Sequence, residues 1–219
     1  MNPQRRNDAL ARLKHLGEQT AAHGERMAQE RGRFAALATR HADGTAPAAV
    51  SAFQLFQTPP DLAARMVAMA GLTDGHRVLE PSAGLGRILD AIASDPARVD
   101  VVAVEQSPDC CRHLYQQRRA CTLKQGDFLA LANSGTLGTF DRVVMNPPFT
   151  RGLDYSHTIA AVQLLRPNGR LVGLCYDGAK TARIQSMATH WERIAPGAFR
   201  ESGTMAGVCL FAIDKAGIP

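Results

Sequence analysis

Phe140-Asp141-Arg142-Val143-Val144-Met145-Asn146-Pro147-Pro148-Phe149 decides the reading of this 219-residue chain. The run ending at Met145 predicts a buried parallel strand. Two prolines then stop it, because neither has an N–H for the sheet. Asn146 and Phe149 therefore stand on a stiff turn at the carboxyl end of a central strand, the edge where open α/β sheets bind ligands. Asn146 brings one acceptor and two donors, and Phe149 a flat apolar ring. The carbonyls of Pro147 and Pro148 stay free to accept. Such a set suits a flat group bearing an exocyclic amine. It equally suits a strand-ending turn with a solvated Asn and a core Phe, so the flanking sequence has to decide.

Upstream, Arg77-Val78-Leu79-Glu80 predicts the first strand. It runs into Pro81-Ser82-Ala83-Gly84-Leu85-Gly86 and a helix from Arg87 to about Ser94. A glycine turn there lets a ligand approach backbone N–H groups. Residues 99–104 form the second strand and deliver Glu105 nineteen residues after Gly86. That is the usual place for a carboxylate that takes ribose hydroxyls. Residues 121–125 are a third strand, followed by Gly126-Asp127-Phe128. The turn and Glu105 fit a dinucleotide or another nucleoside cofactor. The third glycine of the dinucleotide spacing is missing, since Leu89 stands there.

Downstream, Asp154 is read as the cap of a helix that holds Leu164 and Leu165 and stops at Pro167-Asn168-Gly169. Strands follow at 170–176, near 193–195 and at 208–213, with a short helix near 179–190 and the last two strands an antiparallel pair at the sheet edge. This alternation predicts a doubly wound α/β sheet, mostly parallel, with an antiparallel C-terminal hairpin.

Residues 7–40 read as helix in two or three pieces broken at Gly17, Gly24 and Gly32, and 41–49 as a turn-rich linker. The expected organisation is a helical extension over 1–50 and one catalytic domain over 51–219. The extension is read as packing on that domain, with a homodimer contact or a nucleic-acid arm as alternatives. Thr58 is expected to cap a helix over 61–70, with proline in its first turn.

Apolar residues make up 45% of the chain, no run approaches membrane-span length, and the polar N-terminus has no apolar signal region. A cytoplasmic protein without membrane contact is expected. Cysteines 110, 111, 121, 175 and 209 show no paired metal spacing and read as reduced thiols. Net charge is +5, and the first 50 residues hold eight Lys/Arg against five Asp/Glu, a balance that permits nucleic-acid binding.

Glu80-Pro81-Ser82-Ala83-Gly84-Leu85-Gly86 resembles the S-adenosylmethionine motif of class I methyltransferases. Phe56-Gln57-Thr58-Pro59-Pro60 resembles the motif that closes over the methionine end of that cofactor. Glu105, beside Gln106, matches the ribose-binding acid, and Asp127-Phe128 the pair beside the cofactor's adenine. Asn146-Pro147-Pro148-Phe149 matches the catalytic motif of adenine-N6 DNA methyltransferases, small phage or plasmid type. The resemblance covers most of residues 53–215 in one order. It implies a Rossmann-like methyltransferase sheet, S-adenosylmethionine as cofactor and DNA as partner. The catalytic residues would be Asn146, Pro147, Pro148 and Phe149. The cofactor would be held by Gln57, Thr58, Pro59, Glu80, Pro81, Ser82, Ala83, Gly84, Gly86, Glu105, Gln106, Asp127, Phe128 and Asn146.

Asp154, His157, Ser202, Gly203 and Thr204 follow the same family pattern near the target site. Their simpler readings are a helix cap for Asp154, a ring facing solvent or its neighbour for His157 and a turn for 202–204. RNA adenine methylation, protein glutamine methylation and a catalytically silent nucleic-acid-binding module are the alternatives. Only 70 residues follow Phe149, which leaves no room there for a separate recognition domain and predicts low or short sequence specificity.

Overall fold

The computed structural model describes residues 56–117, 120–178, 181–195, 199 and 207–215. The expected N-terminal helices, the 41–49 linker and Ser202, Gly203 and Thr204 lie outside the described residues.

Seven strands form one sheet: β1 Arg77–Glu80, β2 Asp100–Glu105, β3 Thr122–Gln125, β4 Phe140–Met145, β5 Leu165–Tyr176, β6 His190–Ile194 and β7 Val208–Asp214. Their spatial order is β3-β2-β1-β4-β5-β7-β6. The first five pair in parallel. β7 enters antiparallel between β5 and β6, pairing Tyr176 with Val208 and Arg170 with Asp214. The helices are α1 Pro60–Ala70, α2 Arg87–Ser94, α3 Pro108–Gln116, α4 Phe128–Asn133, α5 Leu153–Gln163 and α6 Thr181–Gln185, with a 3₁₀ turn at Thr150–Gly152.

Alternation along each strand splits the core in two. Val78, Val101, Ala103, Val144 and Val172 face one layer with Met66 of α1, Ile88 of α2 and Leu114 of α3. Leu79, Val102, Val104, Val143, Met145 and Leu171 face the other with Phe128 of α4, Ala161 of α5 and Ile184 of α6. Helices on both faces bury the carboxyl halves of the central strands, which is why Val143-Val144-Met145 reads as an apolar run.

Two expectations about local structure are corrected. α5 ends at Gln163 and Leu165 opens β5, where it pairs with Phe140. Pro167 two residues on disfavours helix at Arg166, and the sheet takes up the segment with a register shift. Asn168 holds the turn there at φ 63, the left-handed backbone that asparagine tolerates. Asp154 is not the cap of α5, because the chain enters that helix through Gly152 at φ 75.

Strand order reverses between β1 and β4, the switch point at which such sheets open a crevice. The glycine turn leaves β1 and the Asn-Pro-Pro turn leaves β4, on the two sides of that point.

Candidate active site

β4 ends at Met145 and hands Asn146 to the crevice. Asn146 Nδ2 donates to the Phe56 carbonyl at 2.8 Å and to the Thr58 hydroxyl at 3.0 Å. A carbonyl only accepts, so the amide nitrogen must face Phe56 and the amide oxygen is turned away from it. Asn146 Oδ1 is then buried with no hydrogen-bond partner among the described residues. An orphan buried acceptor costs about 1–3 kcal/mol, and such exceptions are few in native proteins. Phe149 stacks on Phe56, with ring centroids 6.3 Å apart and planes 15° from parallel. Pro147 is buried and Pro148 half-buried, which holds the turn rigid.

The Thr58 hydroxyl therefore serves Asn146 and does not cap α1. The residue at the cap is Pro59, without a side-chain bond to the helix. Gln57 Oε1 accepts from Arg87 Nε at 3.2 Å, tying the 56–59 segment to the start of α2.

Across the crevice, Gly84 at φ 53 and Gly86 at φ 88 shape the turn after β1. A side chain in that backbone costs roughly 1–2 kcal/mol per residue. Ala83 N donates to Val104 O at 3.0 Å, so the turn leans over the end of β2. Glu105 meets it there. Its Oε2 accepts from Gly84 N at 2.6 Å and its Oε1 from Ser107 N at 2.7 Å. Burial raises the Glu105 carboxyl above its ordinary range, opposed by the N–H groups of Ser107, Gly84 and Gln106. Each carboxylate oxygen keeps a lone pair for a hydroxyl. Glu80, Pro81 and Ala83 are buried, Ser82 half-buried and Gln106 exposed. Asp127 caps α4 by accepting from Ala130 N at 2.8 Å, and Phe128 behind it is buried.

Asp154 and His157 are both buried in the first turns of α5. Asp154 Oδ1 accepts from Tyr155 N at 2.9 Å and Oδ2 from Tyr176 N at 3.1 Å, which docks α5 on the end of β5. His157 does not face solvent: it is 5% exposed. Its Nδ1 lies 3.4 Å from Ser82 Oγ and its ring 5.1 Å from that of Phe128. Burial pushes its pKa down to about 4, against a smaller upward pull from Asp127, so the ring is neutral at neutral pH.

The structure thus joins Asn146 to Thr58, Glu105 to Gly84, and His157 to Ser82 and Phe128. The sequence reading passed over Phe56 as a site residue. Its carbonyl orients Asn146 and its ring supports Phe149. The signal was an aromatic directly before Gln-Thr-Pro-Pro.

Set beside known proteins, the chain is 27% identical over 152 residues to the rRNA N(6)-adenosine-methyltransferase metl-5 of Caenorhabditis elegans, covering 64% of this chain and 71% of that one. Among solved structures it resembles TrmN from Thermus thermophilus, with TM-score 0.56 and 21% identity over 71% of this chain. It spans only 48% of TrmN. It also resembles an RNA methyltransferase from Salinibacter ruber in complex with S-adenosyl-L-homocysteine, with TM-score 0.53 and 16% identity, covering 74% of this chain and 96% of that one. No protein-family model matches the chain. The fold is that of the Rossmann-like methyltransferases. Within this Rossmann-like methyltransferase fold, the Asn-Pro-Pro-Phe turn and the glycine turn share the carboxyl edge of the sheet. Among the described residues, no helix is long and apolar enough to cross a membrane.

Proposed function

We propose that the chain is an S-adenosylmethionine-dependent methyltransferase acting on the N6 amine of adenine in RNA. One observation carries the chemistry: Asn146 Oδ1 is a buried acceptor without a donor, fixed by an amide whose nitrogen is already committed to Phe56 and Thr58. An exocyclic amine supplies the missing donor. The relative named for rRNA N6-adenosine methylation supports adenine as the base and RNA as the carrier. The sequence motifs place DNA first and RNA second. The RNA methyltransferases among the similar proteins reverse that preference.

The residues fit the cofactor. The side-chain-free turn at Gly84 and Gly86 admits its methionine portion, Glu105 takes the ribose hydroxyls, and Asp127 and Phe128 border the adenine. Gln57, Thr58 and Pro59 close the methionine end. S-adenosylmethionine, when bound, would supply an electrophilic sulfonium methyl, which passes to the amine nitrogen as its carbon–sulfur bond breaks and S-adenosylhomocysteine leaves. The adenine amine gives one N–H to Asn146 Oδ1 and the other to the Pro147 carbonyl. Both acceptors draw the nitrogen lone pair out of conjugation with the ring. Phe149 stacks on the base, backed by Phe56. The methylated nitrogen sheds its extra proton to water, since a neutral amide cannot hold one. Positioning and electrostatics carry the rate, with no covalent intermediate.

The test offers labelled S-adenosylmethionine with RNA, DNA and total protein in parallel, followed by mass spectrometry of the products. N6-methyladenosine in RNA is expected. Label in DNA alone would keep the chemistry and change the substrate, whereas label on protein glutamine would overturn the adenine assignment. Asn146→Ala is expected to lose more than 100-fold in turnover while binding S-adenosylhomocysteine within about threefold of wild type. Wild-type turnover in that variant would sink the mechanism.

A further inference from the structure

We infer that His157 is a positioning residue of the cofactor cradle, one imidazole that fastens the turn after β1 to the start of α4. The inference rests on the S-adenosylmethionine reading above and says which residue outside the motifs shapes that site.

His157 lies on α5, one turn beyond Asp154 and directly downstream of the Asn-Pro-Pro-Phe turn. From there it reaches the turn after β1 and the first residue of α4. Its Nδ1 edge meets Ser82 Oγ at 3.4 Å, and its ring face meets Phe128 at 5.1 Å with planes tilted by 54°. Ser82 is half-buried at the crevice, whereas His157 behind it is 5% exposed. A ligand on the glycine turn therefore meets Ser82 but not His157. The histidine acts through its neighbours.

A plain core position would not select this residue. The position is 5% exposed and lies against the Phe128 ring, so phenylalanine could fill it without burying ring nitrogens, a cost that burial imposes on any polar group. Burial does hold the ring neutral, and a neutral imidazole offers one donor and one acceptor to a hydroxyl. The Ser82 contact is what that cost secures. Asp154 meanwhile anchors the same helix to Tyr176 N at the end of β5. α5 thus reaches the carboxyl edge at β1, β3 and β5, and it continues directly from the catalytic turn after β4.

The test separates the two contacts. His157→Phe keeps a ring against Phe128 and loses the polar edge; His157→Asn keeps a polar group near the Nδ1 position and loses the ring. Titration calorimetry with S-adenosylhomocysteine is run on both, on Ser82→Ala and on the His157→Phe/Ser82→Ala pair, with melting temperatures alongside. His157→Phe is expected to weaken binding about tenfold with no loss in melting temperature, and the KM for S-adenosylmethionine to rise while kcat changes less than twofold. The double variant should bind no more weakly than its weaker parent, because both changes remove one contact. His157→Asn should recover part of the loss. Wild-type affinity in His157→Phe or in Ser82→Ala overturns the inference, as do losses that multiply in the double variant. Failure of the wild-type protein to bind S-adenosylhomocysteine would instead bring down the cofactor reading, and this inference with it.

Discussion

The amide of Asn146 is held by two acceptors on one side and left dry on the other. That asymmetry ties its chemistry to Thr58, 88 residues away. Thr58→Val keeps the volume and removes the hydroxyl, so Nδ2 loses one of its two acceptors and the amide is held by the Phe56 carbonyl alone. One lost hydrogen bond of about 1 kcal/mol predicts roughly a fivefold to tenfold fall in kcat for methyl transfer. His157 makes a second prediction at the same scale. Its folded pKa of about 4 lies below the ordinary value of 6.5, so the unfolded chain takes up the proton first on acidification. Stability from this group is present in full above pH 6.5 and lost as pH falls towards 4. Urea unfolding at pH 7 and pH 4.5 should show wild type losing about 2–3 kcal/mol more than His157→Phe, whose ring does not titrate. Equal losses would show that His157 is not held neutral by burial.

At the scale of elements, β5 is set against its neighbours by a residue without a side chain. A Cβ at Gly173 would lie 2.8 Å from Phe211 Cζ and 3.1 Å from Met145 Cγ. Phe211 cannot swing clear, because it is fully buried and Trp191 stacks on it at 6.0 Å. Gly173→Ala should cost roughly 1–3 kcal/mol and lower the melting temperature by several degrees in differential scanning fluorimetry. Met145 directly precedes Asn146, so turnover should fall as well. The strands themselves were legible in the sequence: runs such as 101–104 and 143–145 are apolar because helices cover both faces of the sheet. The glycine turn and Glu105 were legible through spacing alone. Thr58 was misread because a Thr before two prolines is a good helix cap, and its actual partner sits in the turn after β4. The solvent-facing reading of His157 failed because α5 mixes apolar and polar residues without a strong apolar stripe to show which side packs inward. Leu164-Leu165 is too short a run to tell helix from strand.

For the whole molecule, charge is distributed unevenly in its consequences. Arg65, Arg77, Arg112, Arg166, Arg170 and Arg193 are each paired with a carboxylate, and those cations are largely spent within the protein. The net +5 remains to act on a polyanion. Filter binding of single-stranded RNA should therefore weaken at least tenfold between 50 and 200 mM salt, with a log–log slope of about −0.7 per phosphate contact, while S-adenosylhomocysteine binding stays nearly constant. A salt-independent RNA affinity would contradict this. The placement of β7 bears on how the molecule is made. β5 and β6 share no hydrogen bonds, and each waits for the strand at 208–214. During vectorial synthesis, 38 residues separate the end of β5 from the end of its outer partner. At ribosomal rates this leaves β5 with an open edge for roughly 2 to 8 seconds in every round of translation. That interval, more than the finished fold, is when the nascent chain is exposed to mispairing with its neighbours on a polysome.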